Sequence, residues 1–234
     1  MSQPRPKVNP RTSLRRAPLR AWRFAQRQIL TMVARVTDFH FDRAFGSETR
    51  RIVETAAMRD VTSANRARGI RYQPTRALPL RRVLRAAEIP TTGCFVDVGC
   101  GKGRALMVAV LNGFTRVKGI EYSPELCRAA QRNLDELRTR SGRAFAAEVL
   151  CIDAADYPFT PDDSVVFLFN PFDATVLAAV LARLQKSLAE HPRSVWVAYH
   201  YPAWRNVMDE TVWLEWVGDY WFGGCAFAVY RTRT

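Results

Sequence analysis

Phe95-Val96-Asp97-Val98-Gly99-Cys100-Gly101-Lys102-Gly103-Arg104 is the stretch on which the fold of this chain turns. An apolar run of strand type enters a bend with glycine at alternate positions, and the bend opens a helix. Glycine lets the backbone turn sharply and approach a ligand more closely than a Cβ permits. The helix that follows offers unpaired N–H groups at its start. The spacing is GxGxG, and Arg104 stands where a dinucleotide-binding fingerprint has its third glycine. Asp97, two residues before the first glycine, would repel a pyrophosphate and suits a cationic amino-acid moiety.

Outward from this bend, short β-rich runs alternate with helical patterns, which predicts βαβ units and a parallel sheet. Strands are expected at 94–98, 116–121, 147–152, 164–169 and 194–199, with a closing pair at 211–217 and 225–231. Helices are expected at 103–112, 123–138 and 174–189. Ser123 followed by Pro124 and Glu125 marks the start of the second of these. Ahead of the bend, residues 78–88 read as a helix with Leu80, Val83 and Leu84 inward. Tyr72-Gln73-Pro74-Thr75 reads as extended, because Pro74 disfavours the α region for Gln73.

Two further acids fall at strand ends. Glu121 closes the second strand and Asp153 follows the third, and ligands of parallel sheets sit outside the carboxyl ends of the strands. A carboxylate at the second position can accept both hydroxyls of a ribose, each such bond contributing roughly 1.5–3 kcal/mol. Asp153 can accept from an exocyclic amine while the Ala154 N–H meets a ring nitrogen. One acid at a strand end is ordinarily solvated; three at successive ends, around a glycine bend, read as one site.

Residues 94–152 resemble the cofactor half of the class I S-adenosylmethionine-dependent methyltransferases, and the topology resembles theirs through to the C-terminus. The resemblance implies an α/β fold: a Rossmann-like, seven-stranded, mostly parallel sheet with helices on both faces and one antiparallel strand near the C-terminus. It implies S-adenosyl-L-methionine as cofactor, with Gly99, Cys100, Gly101 and Gly103 at the methionine part and Asp97 holding the loop and the amino group. Glu121 and Tyr122 are implied at the ribose, Asp153 and Ala154 at the adenine. Asn170-Pro171-Phe172 is similar to the Asn/Asp-Pro-Pro-aromatic loop of amine-directed members, but lacks the second proline. It implies Asn170, also near the cofactor, with Pro171 and Phe172 as the catalytic loop, acting on an amine nitrogen such as a protein lysine. Tyr72-Gln73-Pro74-Thr75 resembles a segment that covers the cofactor in some protein-lysine methyltransferases. Tyr72, His200 and Trp204 are the candidate acceptor-binding residues. RNA as acceptor and a non-catalytic cofactor-binding protein are the alternatives.

Composition narrows the rest. Of the 35 Lys and Arg, nine precede Asp38, where there is no acid at all; the other 26 face 22 Asp and Glu. The chain is therefore read as a near-neutral domain with a cationic arm rather than a basic nucleic-acid-binding globule. The arm is expected over 1–37, with coil to Pro18 and an amphipathic helix over about 19–36. The domain is expected over 38–234, with a helical lead-in at 38–92 and the core at 93–234. Trp22, Ala25, Ile29, Met32, Val33 and Val36 recur at helical spacing, with Arg20, Arg23, Arg27 and Thr31 opposite. Such a helix docks on its own domain, meets an acidic surface, nucleic acid or a membrane, or serves as an organelle transit peptide. No charge-free apolar run reaches the ~18 residues of a membrane span. Five cysteines without CxxC spacing and three histidines indicate neither a disulfide framework nor a metal site. The expected location is cytoplasmic.

Overall fold

A central strand of a parallel sheet must be apolar on both faces, and in the computed structural model Cys94–Val98 (β1) is buried at every position. The structure describes residues 22, 29, 32, 33, 36–54, 61 and 66–233. The coil expected up to Pro18 lies outside the described residues, as does most of the helix expected over 19–36. Helical backbone runs through residues 36–45 (α1), across the position where arm was expected to give way to domain.

Beyond α1 come Ala77–Ala86 (α2), β1, Arg104–Leu111 (α3), Arg116–Glu121 (β2), Pro124–Ser141 (α4), Ala146–Cys151 (β3), Asp163–Leu168 (β4) and Ala174–Glu190 (α5). Trp196–His200 (β5), Arg205–Asp209 (α6), Leu214–Phe222 (β6) and Cys225–Thr232 (β7) complete the chain. The sheet has seven strands in the order β3-β2-β1-β4-β5-β7-β6. The first five pair in parallel, and β7 runs antiparallel to both β5 and β6. This is the Rossmann-like arrangement expected. The order reverses between β1 and β4, where a parallel sheet leaves a crevice for ligands.

Each face of the sheet has its own core. On one, Leu80 and Leu84 of α2, Leu106 of α3 and Leu134 of α4 pack with Phe95 and Phe167. On the other, Val176, Leu177 and Leu184 of α5 and Met208 of α6 pack with Val96, Val166 and Tyr199. The start of α4 follows its sequence signal, the Ser123 hydroxyl accepting from the Leu126 N–H at 3.4 Å.

The closing hairpin departs from expectation. Residues 211–213 are not strand; the α6 turn precedes β6, with the Thr211 N–H donating to the Met208 carbonyl at 3.1 Å. The pairing then slips by one residue between Trp216 and Gly218, and this bulge carries β6 on to Phe222. Gly223 and Gly224, both at positive φ, make the two-residue turn.

Candidate functional site

At the carboxyl ends of β1, β2, β3 and β4 the chain encloses a cavity. Its wall includes Asp97, Gly99, Cys100, Gly101, Glu121, Tyr122, Asp153, Ala154, Pro171 and Phe172, and it is roofed by residues 69–73. Gly99, Gly101 and Gly103 all lie at positive φ. The Gly99 and Cys100 N–H groups both donate to the Ile120 carbonyl, at 2.8 and 3.0 Å, which folds the bend back over β2.

The glycines serve a purpose the sequence reading did not assign. A Cβ on Gly101 would stand 2.1 Å from the Tyr72 ring, and one on Gly99 would stand 2.5 Å from the Pro171 ring. The space is occupied by two covering segments of the chain itself. Tyr72 is held there by its hydroxyl, which donates to the Thr49 carbonyl at 2.7 Å. The roof is fastened to the loop after β4 as well. The Ile70 N–H donates to the Pro171 carbonyl at 2.9 Å, and Arg68 pairs with Asp173 at 2.8 Å.

The three acids meet at the cavity, each in a different state. Asp97 is buried in the wall of the cavity. Burial, with Glu121 nearby, pushes its pKa well above the ordinary range. A buried carboxyl at a cavity wall suits an incoming ammonium group. Glu121 accepts from the Gly101 N–H at 2.9 Å and the Ser123 N–H at 3.0 Å, so it braces the bend as well as lining the cavity. Burial still raises its pKa to about 7, against the Ser123, Gly101 and Tyr122 N–H groups that pull it down. Asp153 caps the turn at Ala154–Asp156, accepting from the Ala155 N–H at 2.9 Å.

Because Glu121 changes charge near neutrality, cofactor affinity should depend on pH. Ligand hydroxyls favour the carboxylate, so affinity should rise as pH climbs through about 7 and level off above it, by up to about tenfold per unit below. Calorimetric titration with S-adenosylhomocysteine from pH 5.5 to 8.5 measures this, and a flat profile contradicts it. For folding the sign is opposite. The folded chain holds the proton longer than the unfolded one, so this group's contribution to stability falls as pH rises from about 4.3 to 7.

Other candidates lie off the cavity. Gly103 begins α3 and packs toward Ala130. The Asn170 Oδ1 accepts from the Tyr199 hydroxyl at 3.1 Å, beside the cavity wall rather than in it. His200 is stacked between Phe169 and Phe227, with ring centroids at 4.1 and 4.4 Å. Among the described residues neither of its ring nitrogens has a partner. Burial lowers its pKa to about 3, so it is a neutral core imidazole, turned there by the alternation of β5. Trp204 caps α6 at the surface.

The residue that sequence reasoning missed is Arg104, taken only as the absence of a glycine. It is buried in the cavity wall. Its guanidinium pairs with Asp38 at 2.7 Å and Asp42 at 2.8 Å, and its Nε donates to the Thr49 hydroxyl. The signal was present in outline: Asp38 and Asp42, one turn apart, share a helix face.

A methyltransferase domain family matches residues 95–191. No curated protein matches the chain. The fold is similar to that of an RNA methyltransferase from Salinibacter ruber, solved in complex with S-adenosyl-L-homocysteine. That protein is 23% identical, the match covers 68% of this chain and 92% of that one, and the TM-score is 0.48. It is similar also to a SAM-dependent methyltransferase from Aquifex aeolicus, 17% identical over 65% of this chain and 88% of that one, with a TM-score of 0.50. At 17% identity the Aquifex aeolicus structure shows a shared fold and nothing more.

Proposed function

We propose that this chain, whose residues 95–191 match a methyltransferase domain family, is a class I S-adenosylmethionine-dependent methyltransferase that transfers the methyl group to an amine nitrogen of a protein, such as a lysine, or of a small molecule. The observation that carries the reading is the chemistry of the cavity at the β4 end. Phe169, Pro171, Phe172 and Val176 line it there, while the titratable acids sit at the ends of β1, β2 and β3. Among the described residues His200 is walled off in its aromatic stack. A hydroxyl acceptor needs a general base to take its proton; an amine that arrives neutral does not.

S-adenosylmethionine, when bound, supplies an electrophilic methyl group on a sulfonium centre. The residues present fit it: Asp97 offers a buried carboxyl at the cavity wall for its amino group, Glu121 and Asp153 acceptors for its hydroxyls and adenine amine. The chain then has to position the nucleophile about 3–3.5 Å from the reacting carbon, and such positioning supplies roughly 7–11 kcal/mol. Asn170 stands at φ 41, a left-handed conformation that asparagine tolerates better than most residues, and Tyr199 holds its carboxamide. Its Oδ1 and the Pro171 carbonyl each hold one donor and keep a second lone pair for an acceptor N–H.

Replacing Asn170 with Ala should leave cofactor affinity unchanged and reduce turnover about 10- to 100-fold; unchanged turnover removes the orienting role. The acceptor is tested by transfer of labelled methyl groups from the cofactor into fractionated cell extract. Label in a protease-sensitive fraction, recovered as a methylated amine, is expected. Label that ribonuclease releases would overturn the protein or small-molecule acceptor, and label recovered on carbon or oxygen would overturn the amine reading.

A further inference from the structure

We infer that the apolar stripe preceding α1 is an interfacial helix face that docks the protein on an anionic lipid bilayer. Trp22, Ile29, Met32, Val33 and Val36 are each helical, and each faces solvent, Trp22, Ile29 and Met32 at 67%, 63% and 70% exposure. Large apolar side chains this exposed, on one helical stripe, need a partner.

That partner is not the domain itself. At about 100° per residue, Val36 lies across the helix from Asp38, Phe41, Asp42 and Phe45. Those four are the side of α1 that meets the core: Phe41 and Phe45 pack against its hydrophobic cluster, and Asp38 and Asp42 pair with Arg104. The docking face of α1 and the exposed Val36 therefore point in opposite directions, with the Arg104 ion pairs on the docking side.

Charge selects among the remaining partners. The first 37 residues carry nine Lys and Arg and no acid, which repels a second copy of the same segment. By sequence spacing, Arg20, Arg23 and Arg27 fall opposite the apolar stripe. A nucleic acid would use those cations and leave the Trp22 stripe in water. An anionic bilayer takes both, the stripe entering the acyl boundary and the arginines meeting headgroup phosphates. The attachment is peripheral, since no described helix is long and apolar enough to cross a membrane.

Flotation of the full chain with vesicles of phosphatidylcholine, with and without phosphatidylglycerol, tests this. Flotation is expected with the anionic vesicles and about tenfold less with neutral ones or at high salt. The double variant Ile29→Asp/Val33→Asp changes two exposed side chains and should keep its melting midpoint and S-adenosylhomocysteine affinity, yet lose flotation about tenfold or more. Arg20→Gln/Arg23→Gln/Arg27→Gln should lose the preference for anionic lipid. The inference is overturned if the wild type stays at the bottom with both vesicles, or if the aspartate variant floats as well as the wild type. Total RNA that binds the wild type and the aspartate variant alike, while vesicles bind neither, also overturns it.

Discussion

Gly101→Val should lose S-adenosylhomocysteine binding by about a hundredfold or more, near 3 kcal/mol, while the sheet still folds. Two effects combine. The backbone stands at φ 54, where a β-branched residue is strained. Its Cβ would also meet the Tyr72 ring at 2.1 Å, and that ring cannot swing aside without losing its bond to Thr49. The bend would have to move, taking with it the Gly101 N–H that now holds Glu121. Gly142→Ala separates strain from contact. Gly142 caps α4 at φ 63, and a Cβ there meets nothing within 4 Å. That variant should cost about 1 kcal/mol of stability and leave cofactor binding untouched. Calorimetry on both decides; if Gly101→Val binds normally, the closed bend is not the cofactor site.

Arg104→Met should destabilise the fold by about 3–5 kcal/mol at neutral pH, because it strands two carboxylates in a buried setting. Burial already pushes the Asp38 pKa up, with Arg104 restraining it. At Asp42 burial pushes the same way, but the Thr49 hydroxyl and Arg104 outweigh it and the pKa falls below the ordinary range. Without Arg104 both carboxyls titrate higher in the folded variant than in the folded wild type. The folded variant then takes up protons first on acidification, so its deficit against wild type should shrink as pH falls through about 4–5. Urea denaturation at pH 7 and pH 4.5 measures the difference, and an equal deficit at both would refute the charge argument. Adding Asp38→Asn and Asp42→Asn should recover part of the loss, since the stranded charges are then gone.

The elements with a short-range signal were legible almost to the residue. β1 and β2 occur where apolar runs and turn residues bounded them, and α4 begins at its Ser-Pro-Glu start. β6 was misplaced, because its start depends on the α6 turn and its length on a bulge against β7, neither of which alternation records. Asp97, Glu121 and Asp153 were legible as neighbours because a parallel sheet puts successive strand ends side by side. His200 and Trp204 were not, since their identity as polar aromatics says nothing about which way a strand end turns.

Local sequence by itself determined the βαβ order, the glycine bend and the row of acids, because these follow from backbone sterics and the period of a strand. It also determined the charge pattern, nine cations without an acid before Asp38 and a near-neutral remainder. Only the tertiary structure decided what the bend is pressed against, that Arg104 ties α1 to the cavity wall, and that the apolar stripe faces away from the core. Those depend on residues far apart in the chain, such as Tyr72 over Gly101 and Arg104 on Asp42, and a contact across the fold leaves no periodicity along the sequence.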